Sequence, residues 1–146
     1  MTTRWLVDTS VLLAAAFGQS QTAANWLTTM KLSDNQLVGS LWLETEALRA
    51  VVNRELNKLP LDGVDVAGYL SGIVLGDIDN ELAIVAASIR QPLRAGDALH
   101  IATALRLGVD EVGIATHDAQ MATTAKDLGF TVIDPVTDDP RRPPVA

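Results

Sequence analysis

Short apolar runs alternate with longer stretches of helical periodicity along most of the chain. Strand one reads Arg4-Trp5-Leu6-Val7, short and apolar as a buried parallel strand should be, and it ends at Asp8. Thr9 and Ser10 then open a helix through Val11, Leu12, Leu13 and Phe17, stopped near Gly18. A second helix is predicted over residues 22–30, where Ala23, Trp26, Leu27 and Met30 share one side. Leu37-Val38 reads as strand two. Ser40 caps a helix bearing Leu41, Leu48, Val51, Val52 and Leu56. After a break at residues 60–63 comes helical character over 64–70, and then strand three at Ile73-Val74-Leu75. Asp79 or Asn80 caps the next helix, which Pro92 interrupts. A further helix runs from about Asp97 to Leu107 and ends at Gly108. Strand four spans residues 112–115, the last helix 119–128, and strand five is Thr131-Val132-Ile133.

Strands and helices in alternation predict an α/β fold, a five-stranded parallel sheet layered α/β/α. The length of 146 residues fits a single domain, expected over residues 1–134. Four of the six prolines lie from Pro135 onward, so residues 135–146 are expected to form a flexible tail. No apolar run approaches the roughly 20 residues needed to span a bilayer. Residues 11–17 imitate the apolar centre of a secretory signal, but Asp8 and the shortness of the run argue against one. The chain has no cysteine, which excludes disulfides, zinc–thiolate sites and thiol nucleophiles and fits a cytoplasmic protein. A net charge of −7 opposes non-specific attraction to nucleic acid and favours a basic partner.

Four acids, Asp8, Glu46, Asp97 and Asp118, carry the candidate chemistry. Ligands of an open parallel sheet bind beyond the carboxyl ends of its strands, where the strand order reverses. With the order 3-2-1-4-5, Asp8 follows strand one and Asp118 follows its neighbour, strand four. The helix after strand two and the helix before strand four both begin at that same edge, bringing Glu46 and Asp97 to it. Gathered carboxylates repel unless a hard cation neutralises them, and Mg²⁺ or Mn²⁺ suits oxygen donors. Such an ion activates water and stabilises charge developing on a phosphate. Asp8 and Asp97 are the expected direct ligands; Glu46 and Asp118 hold the ion's waters or a second ion.

Each acid also has a plain structural reading. Asp8, Asp97 and Asp118 sit at helix starts, where Asp is a favoured cap. Glu46 can pair with Arg49 on its own helix, and Glu44 competes with it for a metal role. His100 and His117 receive no role. Trp5, Trp26 and Trp42 read as core. Arg49, Arg54, Lys58, Arg90 and Arg94 read as solvated charges, some of which can form a phosphate-binding rim.

Four segments resemble the PIN-domain family, and within it the VapC toxins. They are Leu6-Val7-Asp8-Thr9-Ser10-Val11-Leu12; Ser40 with Glu46 and Arg49-Ala50; Asp97-Ala98-Leu99-His100-Ile101-Ala102-Thr103-Ala104; and Thr116-His117-Asp118 with Ala122, Ala125, Leu128 and Gly129. The second register selects Glu46 over Glu44. The resemblance runs nearly to Pro135, with residues 59–78 matching only in general character. It implies a Mg²⁺- or Mn²⁺-dependent endoribonuclease whose cleavage of RNA inhibits translation. It also implies a homodimer blocked by a cognate VapB-type antitoxin that places a basic residue near the acids. Two rival readings remain: a binding module whose acids only cap helices or dock a basic partner, and a metal-dependent phosphatase. For the latter, Ser10 stands where one large phosphatase class carries the second Asp of an Asp-x-Asp nucleophile.

Overall fold

The computed structural model describes residues 3–137. Its elements run β1 (Arg4–Val7), α1 (Thr9–Ala16), α2 (Gln21–Leu32), β2 (Gln36–Ser40), α3 (Leu41–Leu56), α4 (Val66–Leu70), β3 (Val74–Gly76), α5 (Asn80–Ser88), α6 (Ala95–Leu107), β4 (Gly113–Ala115), α7 (Ala119–Asp127) and β5 (Val132–Ile133). All strand pairs are parallel and the order is β3-β2-β1-β4-β5, as the sequence predicts. Strand three begins one residue later than expected and includes Gly76. Pro135 is buried and residues 135–137 form a turn whose Val136 packs against the core. The remainder of the expected tail, 138–146, lies outside the described residues. Among the described residues no helix is long and apolar enough to cross a membrane.

Side chains alternate across the strands with the period of two that a pleated strand imposes. Trp5, Val7, Leu37 and Ala115 face one layer, where they meet Val11 and Leu12 of α1, Leu27 of α2 and Leu43 and Ala47 of α3. Leu6, Val38 and Ile114 face the other, against Ile101 and Ala104 of α6 and Met121 and Ala125 of α7. Helix α5 packs on the outside of α6 through Leu82 and Ala86. Leu6 pairs with Val38 on one side and Ile114 on the other, so this face is continuous through the three central strands. The tryptophans Trp5 and Trp26 make an edge-on contact within the first layer, with ring centres 6.1 Å apart.

Helix α3 departs from the simple amphipathic picture. Its Leu43 and Ala47 are buried, while Leu41, Leu48, Val52 and Leu56 are exposed. The apolar residues that mark this helix in the sequence therefore lie largely on its outer side, and two less conspicuous ones seat it on the sheet.

The sheet edge that matters is set by β1 and β4. Val7 and Ala115 are paired in register at their carboxyl ends, and the Asp8 amide extends the ladder to the Ala115 carbonyl at 3.0 Å. Helix α1 locks Asp8 from behind, because the Asp8 carbonyl accepts the Val11 and Leu12 amides. Leu12 is wholly buried in this helix. Leu12→Ala should lower unfolding free energy by about 3 kcal/mol, read from the midpoint of a urea titration, and a midpoint shift equal to that of an exposed Leu32→Ala control would contradict this placement.

Candidate active site

Asp8, the residue after β1, occupies the cap position of α1 but makes no side-chain capping bond. Its Oδ2 instead accepts hydrogen bonds from Ser10 Oγ at 2.6 Å and Thr116 Oγ1 at 2.9 Å. Both hydroxyls work twice. Ser10 Oγ accepts the His117 amide, and Thr116 Oγ1 accepts the Asp118 amide. Two short side chains thus tie the end of β1 to the loop leaving β4, across the point where strand order reverses. Asp118 does cap its helix, accepting the Met121 amide at 2.8 Å through Oδ1. The capping reading holds for Asp118 and fails for Asp8.

Asp97 lies in the first turn of α6, whose cap position is Arg94. Its Oδ2 is 3.6 Å from Arg94 Nε, and Arg94 Nη2 is 3.9 Å from Asp118 Oδ2. One guanidinium therefore stands between two of the four acids, though its high exposure leaves the pairs little stabilising weight. Of the cations considered from the sequence, Arg94 is the one at the acids. Arg54 is held by the Pro60 carbonyl and lies over the Phe17 ring, and Arg49 bonds to Asn53 rather than Glu46. Gly96 explains itself by contact: a Cβ there would run into Trp42 Nε1, a buried donor with no hydrogen-bond partner among the described residues.

Glu46, in the second turn of α3, turns toward this edge while Glu44 is exposed. Its Oε1 accepts a hydrogen bond from Thr9 Oγ1 at 2.8 Å and lies 2.8 Å from His100 Nε2. His100 is fully buried and reaches within 3.7 Å of Asp8 Oδ1. Its other nitrogen, Nδ1, is 3.3 Å from Ser40 Oγ, so Ser40, at the cap position of α3, spends its hydroxyl on the imidazole rather than on the helix. Sequence reasoning missed His100 and Ser40's use. The available signal was a polar residue amid Ala98, Ile101, Ala102 and Ala104 on a buried helix face. His117, by contrast, is exposed and bonded to Asp134.

The structure thus brings all four acids to one edge, with Arg94 beside Asp97 and Asp118 and His100 beside Asp8 and Glu46. The electrostatics differ between them. Burial and the charges of Asp8 and Asp118 push the Asp97 carboxyl above its ordinary value, against the pull of Arg94 and His100. Burial pushes Glu46 up as well, but hydrogen bonds from His100 and Thr9 and attraction to His100 and Arg94 outweigh it and hold Glu46 below its ordinary value. Among the described residues no three His, Asp or Glu side chains form a ready-made chelate. That is compatible with Mg²⁺, which takes one or two protein carboxylates and keeps several waters. The donor set is hard oxygen, and the repulsion raised at Asp97 is what a cation would relieve. Beside Asp118 opens a cleft of about 320 Å³, lined among others by His117, Lys126 and Asp134.

A family profile described as PIN domain matches residues 5–127. The chain belongs to the PIN domain family. The curated Ribonuclease VapC46 of Mycobacterium tuberculosis (strain ATCC 25618 / H37Rv) is 54% identical over 43 residues, which are 30% of this chain. That match spans 33% of the relative's own length. A solved structure, VapBC2 from Rickettsia felis bound to a DNA fragment from their promoter, superimposes with a TM-score of 0.65 at 13% identity. It covers 90% of this chain and 98% of its own. At that identity the likeness establishes the fold of this PIN domain.

The raised Asp97 carboxyl gives a signed expectation. The folded state holds this proton to higher pH than the unfolded chain does, so stability falls as pH rises through the window above the ordinary value of 3.8. Asp97→Asn should therefore raise the metal-free melting temperature at pH 7 and abolish any further rise on adding Mn²⁺. Thermal melts with and without Mn²⁺ check this; an Asn variant less stable than wild type in EDTA contradicts it.

Proposed function

We propose that this PIN domain is a Mg²⁺- or Mn²⁺-dependent endoribonuclease of the VapC type, acting in the cytoplasm as the toxin of a toxin–antitoxin pair and cleaving RNA to inhibit translation. The observation that carries the reading is the gathering of Asp8, Glu46, Asp97 and Asp118 at the strand-order reversal, around Arg94 and His100. Family membership supports it, as does the partial match to a ribonuclease. Asp8 and Asp97 would hold the ion directly, with Glu46 and Asp118 orienting its waters or holding a second ion. The ion supplies Lewis-acid polarisation of the scissile phosphate and a water of lowered pKa. The protein's own part is geometric. Ser10 and Thr116 fix the Asp8 carboxylate, Thr9 donates to Glu46, and the Met121 amide holds Asp118. Arg94 and Lys126 are cations at the rim of the acids and of the cleft beside them, suited to backbone phosphates.

Two partners follow from the same reading. An acidic edge favours a basic segment, which fits a VapB-type antitoxin covering the acids. The exposed Leu41, Leu48, Val52 and Leu56 share one side of α3 and suit burial against a second copy in a homodimer.

Cleavage of structured RNA should require Mg²⁺ or Mn²⁺, vanish in EDTA, and fall at least about 100-fold in Asp8→Asn with the circular dichroism spectrum unchanged. Activity persisting in EDTA would remove the metal mechanism. For the assembly, light scattering should find a dimer that Leu48→Glu with Val52→Glu converts to monomer; a wild type monomeric at about 100 μM, far above typical specific affinities, would remove the homodimer.

A further inference from the structure

His100 belongs to no acid-bearing role described so far, yet it touches the segments that carry three of the acids. It follows Asp97 by one helical turn on α6. It meets Glu46 and Ser40 at the two ends of its ring, and Thr9 and Asp8 from the β1–α1 junction. It is fully buried, so it cannot touch an RNA strand. A carboxylate only accepts hydrogen bonds, so the contact to Glu46 Oε1 requires a proton on His100 Nε2. The Thr9 hydroxyl donates to that same oxygen. Oε1 is thereby saturated from the protein side, and Oε2 has no hydrogen-bond partner among the described residues.

We propose that His100 is the positioning residue for Glu46: through Ser40 on one nitrogen and Glu46 on the other, it fixes which carboxylate oxygen is turned to the protein and leaves the second for the groove. This deepens the nuclease reading and rests on it for its effect on turnover. A free Glu on the surface of a helix samples several rotamers, each of which moves its oxygens by ångströms. A buried imidazole held at both ends removes that freedom. The link also runs between helices, since Glu46 is on α3 and His100 on α6, so the two helix starts are kept in step.

The substitutions separate the donor from the mere volume. Gln presents its amide nitrogen near the place of Nε2 and keeps the bond to Glu46. Asn presents one near Nδ1, keeping Ser40 and losing Glu46. Leu keeps bulk and loses both. His100→Asn and His100→Leu should lower kcat roughly 10- to 100-fold, the usual effect of removing a partner of a metal-site carboxylate, with KM for RNA unchanged. His100→Gln should lose less than roughly tenfold, the lower end of that range. In calorimetry without RNA, Mn²⁺ affinity should follow the same order. Asn equal to Gln in both measurements, or a loss confined to KM, would overturn the proposal.

A readout independent of turnover and of any His100 variant is the ring itself. Long-range ¹H–¹⁵N spectra of the wild type should show His100 protonated on Nε2, and Glu46→Gln should move that resonance. An unprotonated Nε2, or a resonance indifferent to Glu46→Gln, refutes the link. If the wild type cleaves no RNA with Mn²⁺, the nuclease reading fails while these spectra still decide whether His100 holds Glu46.

Discussion

Mutual repulsion among acids held at one end of a parallel sheet is the constraint on which the rest of this structure turns. Left alone, Asp8, Asp97 and Asp118 would move apart, and burial together with the charges of Asp8 and Asp118 raises the Asp97 carboxyl. The fold resists it with covalent and hydrogen-bonded anchors rather than with opposite charge. Asp8 is fastened by the β1–β4 ladder and two hydroxyls, Asp118 by its helix cap, Asp97 by its place in the first turn of a helix whose other face is core. Arg94 is too exposed to carry the balance alone. The site stores unfavourable electrostatics at Asp97, where burial and like charge meet, and a divalent cation held there, as proposed, would relieve them.

The scaffold makes this possible because its parallel register leaves no choice about neighbours. Val7 and Ala115 are paired, so the next residue of each strand, Asp8 and Thr116, must meet. The core on both faces of β1 then fixes that register, since sliding by one residue would exchange Leu6 for Trp5 and Val7 between two differently shaped layers. Packing in the interior is therefore transmitted to the position of one carboxylate at the rim.

Much of this was legible beforehand. The parallel sheet follows from alternation, and, once the order 3-2-1-4-5 is taken, the convergence of the four acids follows from helix direction and the rule for ligand sites in open sheets, with no side-chain detail. What could not be read were the small polar residues. Thr9, Ser10, Ser40 and Thr116 are ambiguous in one dimension, because hydroxyls cap helices as readily as they bond to carboxylates. Ser40 sits at the cap position of α3 and still gives its hydroxyl to His100. His100 was similarly opaque: Ser40 and Glu46, at the two ends of its ring, lie far back in the chain, and the packing of α3 beside α6 brings them to it. The outward apolar side of α3 was hidden for the opposite reason. Periodicity reveals that a helix has an apolar face, but not whether that face is turned to its own sheet or away from it.

The net charge and the proposed substrate form the last tension. A chain of net charge −7 repels RNA at long range, and its acidic edge is the least favourable place for a phosphodiester to approach. The same edge resolves the conflict only when its charge is changed locally. A divalent cation does so by two units at one point, with Arg94 and Lys126 at the rim. A basic partner segment does so over a wider area and without leaving room for a phosphate. In the nuclease reading, activation and inhibition are therefore competing ways of neutralising one set of carboxylates. In that reading, whichever cation sat there would decide whether the edge admits RNA or is closed to it.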